Sequence, residues 1–223
     1  MHFAFVFAVE LLRWYSGLVE LPLLKGGGCG DPAKLGNSIA VYDAPAGKRI
    51  ANIRLDKNDP QFPSCLGMFV VPAGATKARG ALPVAEYGYE ERGAIVLNER
   101  KEWWEIRLDR GSGWIRKRDA GDIYDYDSLV IGRIAWMVPE WDGRTYAKPG
   151  DESTMTKWTH RNWQRHADVD VKRSQWIGGQ LWFDVEFLSD STCSRDPKVI
   201  GKGWVRGYTR GGLPAIDFPS RGC

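Results

Sequence analysis

The chain is short of the side chains on which catalytic and metal centres are built. Its 223 residues include three histidines (His2, His160, His166) and four cysteines (Cys29, Cys65, Cys193, Cys223). No cysteine or carboxylate joins His160 and His166 at zinc-ligand spacing, so neither a metal nor any other cofactor is expected. A nucleophile elbow, a phosphate loop and a dinucleotide fingerprint are all missing. Long apolar runs are missing too. The run Phe3 to Val9 is cut off by Glu10, and Arg13 and Glu20 interrupt the residues beyond it. It stays short of the roughly 18 apolar residues of a membrane-spanning helix. Nor does one sign of charge dominate. The 31 basic and 28 acidic residues leave +3, too little to imply a nucleic-acid partner.

Aromatics and glycine, by contrast, are plentiful. The 11 Trp, 26 Gly and 12 Pro, with little 3.6-residue periodicity, favour an all-β chain. One recurrence organises it. Trp103-Trp104-Glu105-Ile106 is followed by Gly113-Trp114-Ile115-Arg116, and Trp182-Phe183-Asp184-Val185 by Gly203-Trp204-Val205-Arg206. A Tyr-x-x-Pro stands upstream of each, at Tyr42 to Pro45 and at Tyr146 to Pro149. Strand side chains alternate, so 104 and 106 share one face and 103 and 105 the other. An apolar strand, a glycine-containing turn and a second apolar strand make a hairpin signal. In the second copy the polar stretch Ser189 to Pro197 reads as a lengthened hairpin loop, which a surface absorbs cheaply. Three motifs in one order, twice, indicate a duplicated unit. The chain length fits two units of about 80 residues.

Ala40-Val41-Tyr42-Asp43-Ala44 resembles the Ala-Leu-Tyr-Asp-Tyr opening of the Src-homology-3 (SH3-like) family, its bacterial members included. Trp103-Trp104-Glu105-Ile106 resembles that family's Trp-Trp-x-Ala strand, and Gly111-Ser112-Gly113-Trp114-Ile115 its Gly-x-x-Gly-x-Ile segment. The resemblance covers residues 37–118 and 132–209, and the second copy lacks the Asp of the opening motif. It implies two small barrels, each with a long loop after its first strand, and a groove lined by Tyr42 and Trp103. The family's Pro after the Ile is Arg116 here, and the Ser-Asn-Tyr beyond it is absent, so Pro-x-x-Pro ligands are not implied.

The expected fold is therefore all-β, two SH3-like β-barrels in tandem. A leader covers 1–36, the first barrel 37–118, a linker 119–131, the second barrel 132–209 and a tail 210–223 packed on that barrel. The start of the leader reads as an imperfect export signal or an amphipathic helix. Gly26-Gly27-Gly28-Cys29 reads as a flexible spacer or as a lipidation site at Cys29. A Cys193–Cys223 bond would staple the tail to the second barrel, with Cys29–Cys65 as a second bridge; four reduced thiols are the alternative. The resemblance also extends to an Arg-Gly-Cys tail in bacterial proteins. Leader and cysteines together suggest an exported protein, in the periplasm, at the cell surface or secreted. Asp119, Asp122, Asp125 and Asp127 fit no calcium-loop spacing, and a linker with Tyr124, Tyr126 and Leu129 packed between the barrels is expected instead.

Tyr42 and Trp103, with Tyr146 and Trp182, are the candidate ligand-binding aromatics. Packing within hairpins or between barrels is the competing account. Trp104, Phe183, Trp114 and Trp204 are assigned to structure. Lys157, Trp158, His160, Arg161, Trp163, Arg165 and His166 make a basic, aromatic loop of the kind that holds single-stranded nucleic acid or anionic glycans. A solvated loop whose Trp side chains dip into the core is the favoured reading. No catalytic residue is assigned. The expected function is non-enzymatic binding of a peptide, a peptidoglycan fragment or a protein partner. The alternative is an accessory protein whose barrels are spacers with covered grooves. A cell-wall hydrolase accessory, or a cysteine peptidase built on Cys65 and His160, is the remotest.

Overall fold

The computed structural model describes residues 17–24, 37–56, 67–77, 80–88, 91–159, 167–189 and 197–218. The chain is all-β: two separate, antiparallel, strongly curled sheets, each a half-barrel, with one short helix. The first sheet holds β1 (Gly17–Glu20), β2 (Ser38–Tyr42), β3 (Arg49–Asp56), β4 (Gly67–Pro72), β5 (Gly80–Ala81), β6 (Val84–Gly88), β7 (Glu91–Arg100), β8 (Trp103–Arg107), β9 (Ser112–Arg116) and β10 (Ile123–Asp125). Helix α1 (Tyr126–Val130) leads to the second sheet. That sheet holds β11 (Ile134–Met137), β12 (Arg144–Tyr146), β13 (Met155–Lys157), β14 (Ala167–Ile177), β15 (Gln180–Leu188), β16 (Val199–Arg206) and β17 (Ile216–Asp217).

The two sheets are wired alike. The first runs β10-β1-β7-β8-β9-β2-β3 and continues to β4 and β5; the second runs β17-β11-β14-β15-β16-β12-β13. Each has a three-strand meander, an opening strand beside it and a later strand that returns to pair with the opening one. One irregularity coincides as well. The register shifts between Val96 and Asn98 against β8, and between Val171 and Arg173 against β15. What the first sheet adds comes from the excursion between β3 and β7, where the apolar run at Gly67 to Val71 lies in strand β4.

The tyrosines of the repeated motif end strands that enter the same turn. In Ala44-Pro45-Ala46-Gly47 and Lys148-Pro149-Gly150-Asp151 the fourth N–H donates to the first carbonyl, at 2.9 and 3.4 Å. The residue after the proline has a positive φ, 59° at Ala46 and 78° at Gly150. Proline presets the second position of such a turn and glycine suits the third. Ala46 therefore carries a strain that Gly150 avoids.

Strands β7 and β14 outrun their apolar cores. The stretches Glu99 to Glu102 and Ser174 to Gln180, which the sequence suggests as turns, turn later than that: the ladder continues as far as Arg100 opposite Trp103 and Ile177 opposite Gln180. The turn at the end of β14 is only Gly178-Gly179, with φ of 58° and 79°, the double positive φ that a type I′ hairpin demands.

Three segments read as connections supply strands. Residues 17–20, inside the stretch read as leader, form β1 and pair with both β7 and β10. β1 is covered on both faces, with Leu18 1% and Val19 0% exposed. A strand buried on both sides shows no alternation, so its pattern cannot be told from an apolar leader. Ile123–Asp125, within the linker, is the returning strand β10. Ile216–Asp217, in a tail too rich in Gly and Pro to suggest regular structure, pairs with β11. Ile216 and Phe218 are buried there. Residues 1–16 and all four cysteines lie outside the described residues, and with them the export, lipidation and disulfide readings.

Two cores result. Val19, Val41, Ile53, Val96, Ile106 and Ile115 fill the first half-barrel. Val169, Val171, Phe183, Val185 and Val205 fill the second, and that cluster extends across the seam to Leu18 and Ile95 of the first sheet and Leu129 and Val130 of α1. Tyr126 fastens the seam. Its hydroxyl donates to the Ile216 carbonyl at 2.5 Å and accepts from the Ile216 N–H at 2.8 Å. Burial pushes its pKa well above the ordinary tyrosine value, as it does for Tyr87 and Tyr208.

The paired turns and the Tyr126 anchor are each open to substitution. Ala46→Gly relieves a left-handed alanine and should leave stability unchanged or raise it by up to about 1 kcal/mol. Gly150→Ala should cost about 1–2 kcal/mol; urea midpoints of the two variants moving the same way would contradict the turn. Tyr126 keeps its proton when folded, whereas an unfolded tyrosine loses it near pH 10. Its contribution is therefore complete below that pH and is lost as pH rises beyond it. Tyr126→Phe should cost about 1–3 kcal/mol at neutral pH by stranding the Ile216 backbone, and the alkaline loss of stability should be shallower than in wild type.

Candidate functional site

Register decides which side chains meet. Trp103 lies opposite Arg116, Glu105 opposite Trp114, and Tyr42 opposite Trp114. Directly opposed residues share a face, so Tyr42, Trp103, Glu105, Trp114 and Arg116 form one outer surface. Trp104, Ile106 and Ile115 point the other way, into the core. The second sheet repeats this. Trp182 lies opposite Arg206, Asp184 opposite Trp204, and Tyr146 opposite Trp204, while Phe183, Val185 and Val205 enter the core.

The rings and guanidinium groups on this face adopt nearly the same arrangement twice. Tyr42 and Trp103 meet edge to face with centroids 5.1 Å apart at 82°. Tyr146 and Trp182 do so at 4.9 Å and 90°. The Arg116 guanidinium sits 5.5 Å from the Tyr42 ring and 5.4 Å from Trp103. Arg206 sits 5.8 and 5.7 Å from Tyr146 and Trp182. Both are cation–π distances. A second arginine covers the remaining tryptophan in each copy, Arg100 over Trp114 at 5.6 Å and Arg173 over Trp204 at 5.1 Å.

The copies differ in what lies on top. Tyr42 and Trp103 are half-buried, whereas Tyr146 and Trp182 are 1% and 2% exposed. The cause is the loop after the tyrosine. In the first copy it is closed by the Asp43 N–H donating to the Lys48 carbonyl, in the second by the Ala147 N–H donating to that of Thr154, two residues further along. The longer loop folds into a 3-10 turn, Glu152–Thr154, capped by Asp151, which accepts from the Ser153 N–H at 3.1 Å and its hydroxyl at 2.6 Å. Those bonds hold the Asp151 carboxyl below its usual pKa. The turn sets Glu152 over the site. Its carboxylate pairs with the Arg206 guanidinium and accepts from the Tyr146 hydroxyl at 3.3 Å. Burial raises the Tyr146 pKa, with Arg206 opposing the shift. Ile177 packs on the same aromatic cluster. It passes so close to Gly150 that a Cβ there would stand 2.9 Å from Ile177 Cγ2.

Among the described residues no such lid covers the first copy. Arg116 makes no ion pair among the described residues. Asp43, the carboxylate of its loop, accepts instead from the Lys48 N–H at 2.8 Å. Glu105, on the same face, accepts from the Ser112 hydroxyl at 2.6 Å.

The four aromatics proposed from sequence thus come together as two pairs, one partly open and one covered. Trp114 and Trp204, assigned to structure away from the open face, share that face but are buried on it. Arg116 and Arg206 were the omission, although both occupy the fourth place of the repeated Gly-Trp-Ile/Val-Arg. In the basic loop, Trp158 is half-buried and stacks on Phe187 at 4.0 Å and 20°, the core-dipping arrangement favoured from sequence. His160, Arg161, Trp163, Arg165 and His166 lie outside the described residues. Among the described residues no three His, Cys, Asp or Glu are grouped to hold a metal, and no helix is long and apolar enough to cross a membrane. A further cleft, of about 390 Å³, opens at the seam beside Leu18, Ile95 and Phe218, with Arg92, Glu140 and Asp217 among its lining.

The two tryptophans should respond differently to truncation. Trp182→Ala removes a buried ring and should cost about 3–5 kcal/mol. Trp103→Ala should cost less than half as much, since one side of its ring already meets water; equal losses in chemical denaturation would remove the distinction between open and covered copies.

Comparison with models of protein families, with curated proteins and with solved structures finds no match, so the role of the site rests on its geometry.

Proposed function

We propose that this chain is a non-enzymatic binding protein whose half-barrels are SH3-like units, and that the first of them captures a peptide across Tyr42, Trp103 and Arg116. One observation carries the reading: the same tyrosine–tryptophan–arginine cluster is built twice, and only one copy is covered by its own loop. Edge-to-face rings offer rigid contact surface that loses little freedom on binding. The stacked guanidinium is similarly held in advance. The SH3-like assignment draws on the motifs and on the order of parts, namely an opening strand, a long excursion, a three-strand meander and a strand returning to the first. Arg116, standing where that family carries proline, argues against a Pro-x-x-Pro ligand.

The accessory reading, with barrels as spacers, is favoured by the second copy, whose aromatic pair is covered. It accounts less well for the first. Under the present proposal the second half-barrel is scaffold, and its closed site contributes stability.

Selection from a random peptide library displayed on phage tests this, with wild-type protein as bait and Trp103→Ala in counter-selection. Enriched peptides should bind with micromolar to millimolar Kd, quench tryptophan fluorescence, and lose binding in Trp103→Ala while its circular dichroism stays native. A library yielding no Trp103-dependent peptide would turn the assignment towards the spacer.

A further inference from the structure

We infer that the open site takes a carboxylate, and that Glu152 shows in the closed copy how the ligand is held. The inference rests on the binding reading above and names its ligand chemistry. Glu152 comes from a loop outside the meander, reaches across the aromatic pair and presents one carboxylate to two donors, the Arg206 guanidinium and the Tyr146 hydroxyl. It occupies the position that a bound side chain would take. Both donors recur in the first copy as Arg116 and Tyr42, around rings arranged to within a few tenths of an ångström of the filled site. The first copy therefore holds the shape of the occupied state with no carboxylate of the described residues paired to Arg116. Preorganisation of this kind leaves little reorganisation to oppose binding.

The surroundings agree in sign. The short loop of the first copy carries the exposed Lys48, where the longer loop of the second supplies Glu152. Two nearby carboxylates are engaged elsewhere, Asp43 with the Lys48 N–H and Glu105 with the Ser112 hydroxyl. The Arg206–Glu152 pair also limits what the carboxylate alone can do. The Glu152 side chain is 58% exposed, and a surface ion pair of that kind contributes little by itself. Most of the affinity must come from ligand surface laid against the rings, with the carboxylate setting position and selectivity. The fitting ligand is a peptide with an acidic side chain, or a free C-terminal carboxylate, next to an apolar residue.

The test uses the full chain and peptides from the library selection. Each is synthesised in four forms: as selected, with every Glu and Asp changed to Gln and Asn, with the C-terminus amidated, and with both changes. Removing the contacted carboxylate should weaken binding about two- to fivefold, the scale of a largely exposed ion pair. The side-chain and amidated forms separate the two sources. Arg116→Gln should erase the difference between acidic and neutral forms, and Arg116→Lys should restore part of it. A second variant replaces the loop 43–48 with residues 147–154. It should cover its own site and lose peptide binding while gaining thermal stability. Neutral forms binding as well as acidic ones, or Arg116→Gln preferring acidic peptides as wild type does, overturn the inference and leave the binding reading standing. Failure of the selection itself removes the binding reading.

Discussion

The pairing of Trp103 with Arg116, and of Trp182 with Arg206, is the constraint on which both half-barrels depend. A slip of β8 by one residue against β9 would turn Trp103 inward, away from Arg116, and push Trp104 into water. The register is pinned because the opposite face is given over to the core, where Ile106, Ile115, Val185 and Val205 are all fully buried. Glycine completes the arrangement. A Cβ on Gly113 would come 2.4 Å from Val41 Cγ1, so only glycine lets β2 lie this close to β9 and bring the Tyr42 ring onto Trp103. Core and outer aromatic face are thus two sides of one hydrogen-bond pattern.

The two copies divide that pattern between different ends. A loop two residues longer gives the second copy a lid, and its aromatic pair becomes a small core of its own with Trp204 and Ile177. The electrostatic part of the lid is modest, since Glu152 remains largely in water. Closure comes chiefly from removing two large rings from solvent. The first copy lacks that stabilisation and leaves its rings half-buried.

Much of this was legible in the sequence. Repeated aromatic motifs marked the hairpins and the duplication, and period-two alternation separated Trp103 from Trp104 and Trp182 from Phe183. The elements that escaped notice did so for physical reasons. β1 is buried on both faces and so lacks alternation. β10 and β17 are two or three residues long and are held by backbone pairing, which leaves little trace in side-chain pattern. Arg116 looked like a departure from a resemblance rather than a member of the site, because a cation stacked on two rings has no spacing signature within its own strand. The covering of the second copy depends on loop length and on Glu152 reaching across it, neither of which a motif records.

The returning strands set an order of completion. The first sheet possesses every described strand once Asp125 has been synthesised, whereas the second waits for Ile216 and Asp217, and the Tyr126 hydroxyl waits with it for a partner 90 residues downstream. Two meanders of identical wiring in one polypeptide invite exchange of strands between halves. Emergence from the ribosome in sequence counters that hazard, because the first half can close on itself before the competing strands exist. Refolding from denaturant offers no such head start, and there the likeness of the two halves becomes a source of misassembly.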